Sequence, residues 1–162
     1  MAAVDYFLKI EGIDGESTDS KHKGEIQLSS FSMGETNSST IGSATGGGGA
    51  GKVSFHDFNF TTKFSKASPK LMLACATGAH IKNAVMTARK AGGRGGGFEF
   101  LFVKMTTVLV SSIQTQATDN VPEDAVSLAF AKIEVDYKEQ KATGSLGATT
   151  TFVWSLVENK QG

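Results

Sequence analysis

Cysteine is almost absent from this 162-residue chain, which contains one copy, Cys75. A lone thiol cannot close an intrachain disulfide or supply the thiolate cluster of a structural zinc site. Proline is also scarce, with two residues, and no apolar run approaches the roughly 20 residues needed to cross a bilayer. These absences exclude a disulfide-rich domain, and we expect no membrane insertion.

An excess of charge is also missing, because 16 Lys and Arg balance 16 Asp and Glu. Charged residues make up 20% of the chain, below the ~25% of an ordinary soluble domain. This balance argues against long-range attraction to nucleic acid or anionic membranes. It also removes the self-repulsion that keeps copies apart, so it favours self-association.

Hydrophobic residues at 40% and eleven Phe are enough to fill one core, so we expect a single domain over residues 1–162. Asp5 and Lys9 interrupt the N-terminal apolar stretch, which predicts that the chain carries no signal peptide. We therefore expect synthesis in the cytoplasm and, if the protein leaves the cell, export by another route.

Period-two alternation of apolar and polar residues predicts about seven strands. Phe98 to Val110 is apolar on both parities, which predicts burial on both sides, and the parity of Glu25 to Gly34 slips across Ser29–Ser30, which predicts a bend between sheets. The predicted strands are Val4 to Ile10, Glu25 to Gly34, Ser54 to Lys63, Asn83 to Ala91, Gly97 to Gln116, Val126 to Tyr137 and Thr149 to Val157.

One helix is predicted, with Ser68 as its N-cap, Pro69 at its first helical position and Gly78 as its stop. Cys75 lies on its apolar side, which predicts a buried, unreactive thiol. Strands without βαβ alternation then predict an all-β, two-sheet β-barrel or sandwich with one flanking α-helix.

Glycine is abundant, with 19 residues, and two segments concentrate it. Residues 36–52 contain six glycines and few apolar residues, so they form either a mobile surface loop or an arm that orders against a neighbouring subunit. Gly92 to Gly97 lies between two predicted strands and is typical of a hairpin connection.

No catalytic, cofactor or metal site is predicted. Gly46-x-Gly48-x-x-Gly51 matches a dinucleotide fingerprint as a string, but a strand pattern follows it where the motif requires a helix. His56 and Asp57 are adjacent in a predicted strand and so point to opposite faces, while Glu123 and Asp124 are interpreted as a turn after Pro122. His22, His56 and His80 show no ligand spacing.

Several segments, in order along nearly the whole chain, resemble the haemolysin-coregulated protein (Hcp) family of bacterial type VI secretion. Phe31 and Met33 stand where that family often has tryptophan, and the last four residues show no likeness. The matching segments are Val4 to Gly12, Gly15 to Ser17, Phe31 to Gly34, Gly46 to Val53, Lys90 to Gly93 and Val135 to Tyr137.

The resemblance implies a non-enzymatic structural protein without cofactors. It implies homohexameric rings that stack into the inner tube of a contractile machine, expelled through a sheath beneath a valine-glycine-rich spike protein and carrying small effector proteins in the lumen. The alternative is a free β-barrel ligand-binding protein or enzyme in which residues 36–52 act as a lid.

Two sets of site residues follow from this resemblance. Because successive strand residues alternate between faces, Phe31 and Met33 are expected toward the core and the small side chains of Ser30 and Ser32 toward the lumen and its effectors. A loop contacting other subunits or rings is expected at Gly46, Gly47, Gly48, Gly49, Gly51 and Lys52.

Overall fold

The computed structural model describes residues 4–38, 52–92 and 97–162, so the five candidate glycines between 46 and 51 lie outside the described residues. Ten strands and one helix occupy the described part of the chain. They are β1 (Val4–Ile10), β2 (Ile26–Leu28), β3 (Ser30–Ser32), β4 (Glu35–Asn37), β5 (Val53–Phe55), β6 (Phe58–Lys63), α1 (Ala67–Thr77), β7 (Ile81–Lys90), β8 (Phe98–Gln116), β9 (Glu123–Gln140) and β10 (Leu146–Ser155).

Eight strands form one sheet that curls round on itself. Its order is β2-β1-β7-β8-β9-β6-β3. β10 pairs with the second half of β9, beyond the residues that pair with β6. β4 and β5 form a separate two-stranded sheet. β2 and β3 are the first and last strands of the eight-stranded sheet, yet only Ser29 separates them along the chain. The Ser29 amide donates to the Thr61 carbonyl at 2.8 Å, and the Thr62 hydroxyl donates to the Gln27 carbonyl at 2.8 Å. The predicted all-β fold with one helix is confirmed. The break at Ser29–Ser30 is also present, but it joins the two ends of one sheet and not two different sheets.

The core fills the interior of this curled sheet. Alternate residues of each long strand point inward, and α1 closes one side. The side chains buried deepest include Leu8, Phe58, Leu71, Met86 and Leu128.

The helix begins two residues earlier than predicted, at Ala67 instead of Pro69 and with Lys66 at the N-cap position. Its N-terminus is held by a different serine. The Ala67 amide donates to the Ser65 hydroxyl at 3.2 Å, and the Ser65 amide donates to the Ser68 hydroxyl at 3.0 Å. Ser68 is therefore the inner member of a reciprocal pair and not the N-cap. The predicted stop is confirmed, since Gly78 has φ 64°, a conformation that favours glycine.

Cys75 is less buried than predicted. Leu71 and Ala74 on the same helix are buried, but Cys75 is half-buried against the edge of the core. The helical spacing correctly places it on the apolar side, and the thiol lies where that side meets the surface.

Burial of β8 on both sides was a wrong prediction. Val103, Met105, Val108 and Val110 are buried, whereas Lys104 and Thr106 are exposed. Odd-numbered residues of β8 point inward before Thr107 and even-numbered residues point inward directly after it, and Thr107 itself has φ 53°. Apolar residues therefore occur at both odd and even positions, although only one face of each half of β8 lies on the core. The outer face at Lys104 is polar, because its ammonium contacts Glu134 at 3.2 Å and Asp136 at 3.1 Å.

The second glycine cluster connects β7 to β8, as predicted. These strands are antiparallel, with Lys90 opposite Phe98. A Cβ added at Gly97 would collide with the Lys90 carbonyl oxygen, so the chain needs glycine at this close approach. Within the described ranges, no helix has the length and apolar character to span a bilayer.

Candidate functional site

Two rows of uncharged and mostly small, polar side chains cross four neighbouring strands on one face of the sheet. The first row is Ser32, Asn59, Ser127 and Ser112; the second is Ser30, Thr61, Ala125 and Gln114. We call these eight residues the polar face. The row between these two points to the core and consists of Phe31, Phe60, Val126 and Ile113. The polar face is therefore the opposite side of the same four strands.

The polar face is open to solvent. Ser30, Ser32, Ser112, Gln114 and Ala125 are exposed, and the other three are half-buried. The face lines a shallow hollow of about 310 Å³. Ser30 and Ser32 lie at the β3 end of the rows, and Phe31 between them packs against the core as predicted. Met33, expected beside Phe31, is 38% exposed because β3 ends at Ser32.

Hydrogen bonds between strands hold part of this face in place. The hydroxyls of Ser30 and Thr61 lie 2.6 Å apart, and Ser127 donates to the Asn59 side-chain oxygen at 2.5 Å. No side-chain hydrogen bond joins Ser32, Ser112 or Gln114 to another residue in the described ranges. Within the described part of the chain, the polar atoms of these three exposed side chains have no partner.

No residue of the polar face carries a charge. The next row along the sheet contains Lys63 and Glu123, which face each other in register, so charge begins at the rim. The face has no ionisable group to act as a general acid or base, and no base beside its hydroxyls to activate a nucleophile. What it can do is form hydrogen bonds and admit close packing over small side chains.

Asp124 supports the polar face from behind, and the predicted turn at Glu123–Asp124 is wrong. Both residues open β9, and Asp124 is fully buried. Its carboxylate accepts hydrogen bonds from the Ser68 hydroxyl and from the Thr115 hydroxyl at 2.7 Å. The first turn of α1 is thereby tied to β8 and β9 beneath the polar face.

The remaining candidates lie elsewhere. Lys52 is exposed just before β5. His56 and Asp57 interrupt the predicted strand, as the break between β5 and β6, and Asp57 accepts a hydrogen bond from the Ser111 hydroxyl at 2.6 Å. In the ranges that the structure describes, no three His, Cys, Asp or Glu side chains converge as metal ligands would.

A buried ionic cluster that the sequence analysis missed lies outside the barrel, under the loop between β1 and β2. His22 is buried and stacks on Phe7 at 4.4 Å between ring centroids. Its Nδ1 lies 2.9 Å from Glu25 and its Nε2 2.7 Å from Glu99. Both ring nitrogens therefore lie within hydrogen-bond distance of a carboxylate, one on the loop and one on β8. His22 thus fastens the loop to the start of β8.

Arg89 makes the second link of that cluster. Its guanidinium contacts Asp19 at 2.5 and 3.0 Å and lies 5.0 Å above the Phe7 ring. The hydrogen bonds from Arg89 hold the pKa of the Asp19 carboxyl far below its usual range, and the same contact raises the pKa of Arg89. The loop is therefore held by a planar two-point contact, the strongest common form of protein ion pair.

Asp19→Asn should destabilise the domain by about 2 kcal/mol at pH 7, because a charge-assisted contact becomes a neutral one. The pKa of Asp19 is lower in the folded chain than in the unfolded chain, where it is near 4. The contribution of Asp19 to stability is therefore complete above pH 4 and is lost as the pH falls through the folded-state pKa. Urea unfolding at pH 7 and pH 3 should show the difference between parent and variant shrinking on acidification. Glu158→Gln, which alters an exposed pair with Lys160, should show a small difference at both pH values. A pH-independent deficit in Asp19→Asn would contradict this assignment.

Comparisons with known proteins agree in pointing to one family. The family model described as "Type VI secretion system effector, Hcp" matches residues 7–137. Protein hcp1 of Pseudomonas aeruginosa is 41% identical over 163 aligned residues, which cover 98% of this chain and 99% of that protein. The chain belongs to the Hcp family of the type VI secretion system. The match runs from Phe7 within β1 to Tyr137 near the end of β9, and so it includes the whole polar face of this Hcp chain.

Solved structures give the same answer at the level of the fold. A type six secretion system protein superposes with a TM-score of 0.88 at 30% identity, over 99% of this chain and 100% of the other. Hcp1 from Salmonella typhimurium gives a TM-score of 0.79 at 32% identity, with both chains covered completely. This Hcp chain therefore shares the family fold from end to end, and it is a secretion-system protein of that type.

Proposed function

We propose that this protein is the ring-forming subunit of a type VI secretion inner tube. Six copies form a ring, rings stack into a tube, and the tube carries small effector proteins in its lumen. The observation that supports this role within the family is the polar face, whose two uncharged rows cross four strands without a charged side chain. A wall of this kind suits a channel along which folded cargo must move.

The size of one domain is compatible with a cargo-carrying ring. A compact chain of this length has a radius of gyration of roughly 15 Å, equivalent to a sphere about 39 Å across. Six such spheres touching in a plane leave a hole of about the same diameter, ~39 Å. A small folded effector fits within that opening.

Ser30 and Ser32 are the proposed cargo contacts, with the other six residues of the polar face completing the wall. The partners of the assembly are other copies of this chain, the valine-glycine-rich spike protein, the contractile sheath and the effectors. The role requires no cofactor, metal, nucleic acid or catalytic residue. The protein is made in the bacterial cytoplasm and leaves the cell as part of the expelled tube.

Light scattering and electron microscopy of the purified protein test the central claim. A ring has six times the mass of one chain and is visible as an annulus in negative stain. A monomer at tens of micromolar would overturn the proposal and would favour the free β-barrel with residues 36–52 as a lid. The cargo role is tested separately by co-purification with an effector of the same secretion system.

Cargo binding should depend only weakly on salt. Charge interactions at an open surface are screened over a Debye length of about 8 Å at physiological ionic strength, but the polar face has no charge to screen. The amount of effector retained on rings should change by less than about twofold between about 50 and 500 mM salt. A steep loss of effector with rising salt would show that a charged surface holds the cargo.

The glycine-rich segment is the proposed contact between subunits or rings, through Gly46 to Gly49, Gly51 and Lys52. Replacing residues 46–51 with a two-residue turn should leave a folded β-domain, because five of these six residues are glycine and have no side chain to contribute to a core. The protein concentration required for ring and tube formation should rise at least about tenfold, or ~1.4 kcal/mol. Light scattering across a dilution series measures this, with urea unfolding to verify the fold. Assembly at the parent concentration would reduce the segment to a surface loop.

A further inference from the structure

The apolar face of β9 and β10 continues past the end of the core. Along β9, Ile133 is 3% exposed, Val135 is half-buried and Tyr137 is 45% exposed. Along β10, which is antiparallel to β9, Trp154 is half-buried and Phe152 is 37% exposed. These residues share one face of the sheet through the pairs Ile133–Trp154 and Val135–Phe152. The inward face thus emerges from the core before either strand ends.

Side chains from two other elements join this surface. Phe55 on β5 stacks against Phe152, with ring centroids 6.3 Å apart, and Met33, just after β3, is 38% exposed. We call Met33, Phe55, Val135, Tyr137 and Phe152 the β10 patch. Single exposed apolar residues are ordinary, but a contiguous group rimmed by polar residues marks an interaction site.

The β10 patch contains a hollow of about 100 Å³, the volume of roughly three water molecules. Water is stable in such a space only where polar groups can bind it. Glu35 and His56 also line the hollow, but most of the lining is apolar and aromatic, so the hollow suits one aliphatic side chain of a partner. The apolar residues that line it are Met33, Phe55, Phe130, Ile133, Val135 and Phe152.

The backbone beside the patch is also unpaired. β10 runs over Leu146–Ser155 and pairs only with β9 among the described strands. Ser155 at the end of β10 exchanges backbone hydrogen bonds with Lys160. Before Ser155, alternate residues of the outer edge present amide and carbonyl groups that no other described strand pairs. An exposed edge beside an apolar surface is a template for association with another chain.

We infer that the β10 patch and the free edge of β10 form the surface on which a second copy of this chain docks. A closed ring needs two different surfaces on each subunit. Outside the β10 patch, the chain carries exposed aliphatic side chains that could enter the hollow of a neighbouring copy. Leu73 on α1 is 65% exposed and Val157 is 80% exposed. The net charge of zero places no general repulsion between copies. This inference rests on the proposed ring and assigns its contact surface.

Phe152→Glu tests the assignment, and Phe64→Glu is its matched control. Both residues are phenylalanines of similar exposure, 37% and 41%, but Phe64 lies between β6 and α1, away from the patch. A carboxylate at residue 152 would be buried in the docked state without a partner. We expect the concentration for ring formation to rise at least a hundredfold in Phe152→Glu and to stay within threefold of the parent in Phe64→Glu.

Light scattering over a dilution series gives the readout, and circular dichroism verifies that both variants fold. Phe152→Ala is the second variant, for which we expect at least a tenfold rise. Rings formed by both Phe152 variants at the parent concentration would overturn the assignment while leaving the ring intact. Equal loss of assembly in Phe64→Glu would also overturn it. A parent that is monomeric would instead overturn the ring itself.

Discussion

Ser32→Arg should produce assembled particles that have lost their cargo. Ser32 is exposed at the β3 end of an uncharged hollow, and its side chain makes no hydrogen bond to another described residue. Arginine adds a long, permanently charged group where a close-packed partner would have to bury it. We expect effector co-purification to fall at least tenfold, which corresponds to about 1.4 kcal/mol.

The expected loss is specific to position and to charge. Ser20→Arg places the same side chain on an exposed serine of the loop between β1 and β2, and cargo retention should equal that of the parent. Ser32→Ala removes only a hydroxyl, so retention should remain within about threefold, less than the net worth of one hydrogen bond. Light scattering must show parent-like assembly for all three variants. Intact Ser32→Arg rings that still hold the effector would remove Ser32 from the binding surface.

Features of the fold that depend on local sequence were predictable. Alternation placed Phe31 toward the core, and Gly78 stopped the helix because its backbone is left-handed there. The parity slip at Ser29–Ser30 marked the residue at which the chain leaves the β1 edge and joins β6. Each of these signals lies within a few residues of the structural feature that it produces. Such features can therefore be predicted from one sequence.

Features that depend on distant partners were not predictable in this way. Asp124 follows a proline and resembles a turn residue, but its acceptors are satisfied by Ser68 and Thr115 from two other elements. His22 has an unremarkable sequence context, and its partner Glu99 lies 77 residues along the chain. No pattern in the sequence announces either contact, because the fold alone brings these groups together.

The polar face falls between these two cases. Ser30 and Ser32 were identified as a pair because Phe31 separates them, but Asn59, Ser127 and Ser112 join their row only through the pairing of four strands. Each of those strands shows the same alternation of small polar and apolar residues. Alternation predicts which face a residue occupies, whereas the register between strands decides which residues become neighbours.

Phe58→Ala should remove much of the stability of the domain and the polar face with it. Phe58 is fully buried on β6 and lies 5.7 Å from Phe31, ring centroid to centroid. Truncating a buried phenylalanine costs about 3–5 kcal/mol through lost burial and the cavity left behind, a large part of the ~5–15 kcal/mol that stabilises a domain. Because Phe31 rests on Phe58, β3 and its two serines should lose their support.

Urea unfolding measures the loss, and Phe64→Ala provides the matched control. Phe64 is 41% exposed, so its truncation should cost less than about 1 kcal/mol. Amide exchange should show faster opening of Ser30–Ser32 in Phe58→Ala and no change there in Phe64→Ala. Equal destabilisation by the two substitutions would mean that Phe58 does not anchor the core. Unchanged exchange in β3 would mean that the polar face is held by its cross-strand hydrogen bonds, without help from the ring stack beneath it.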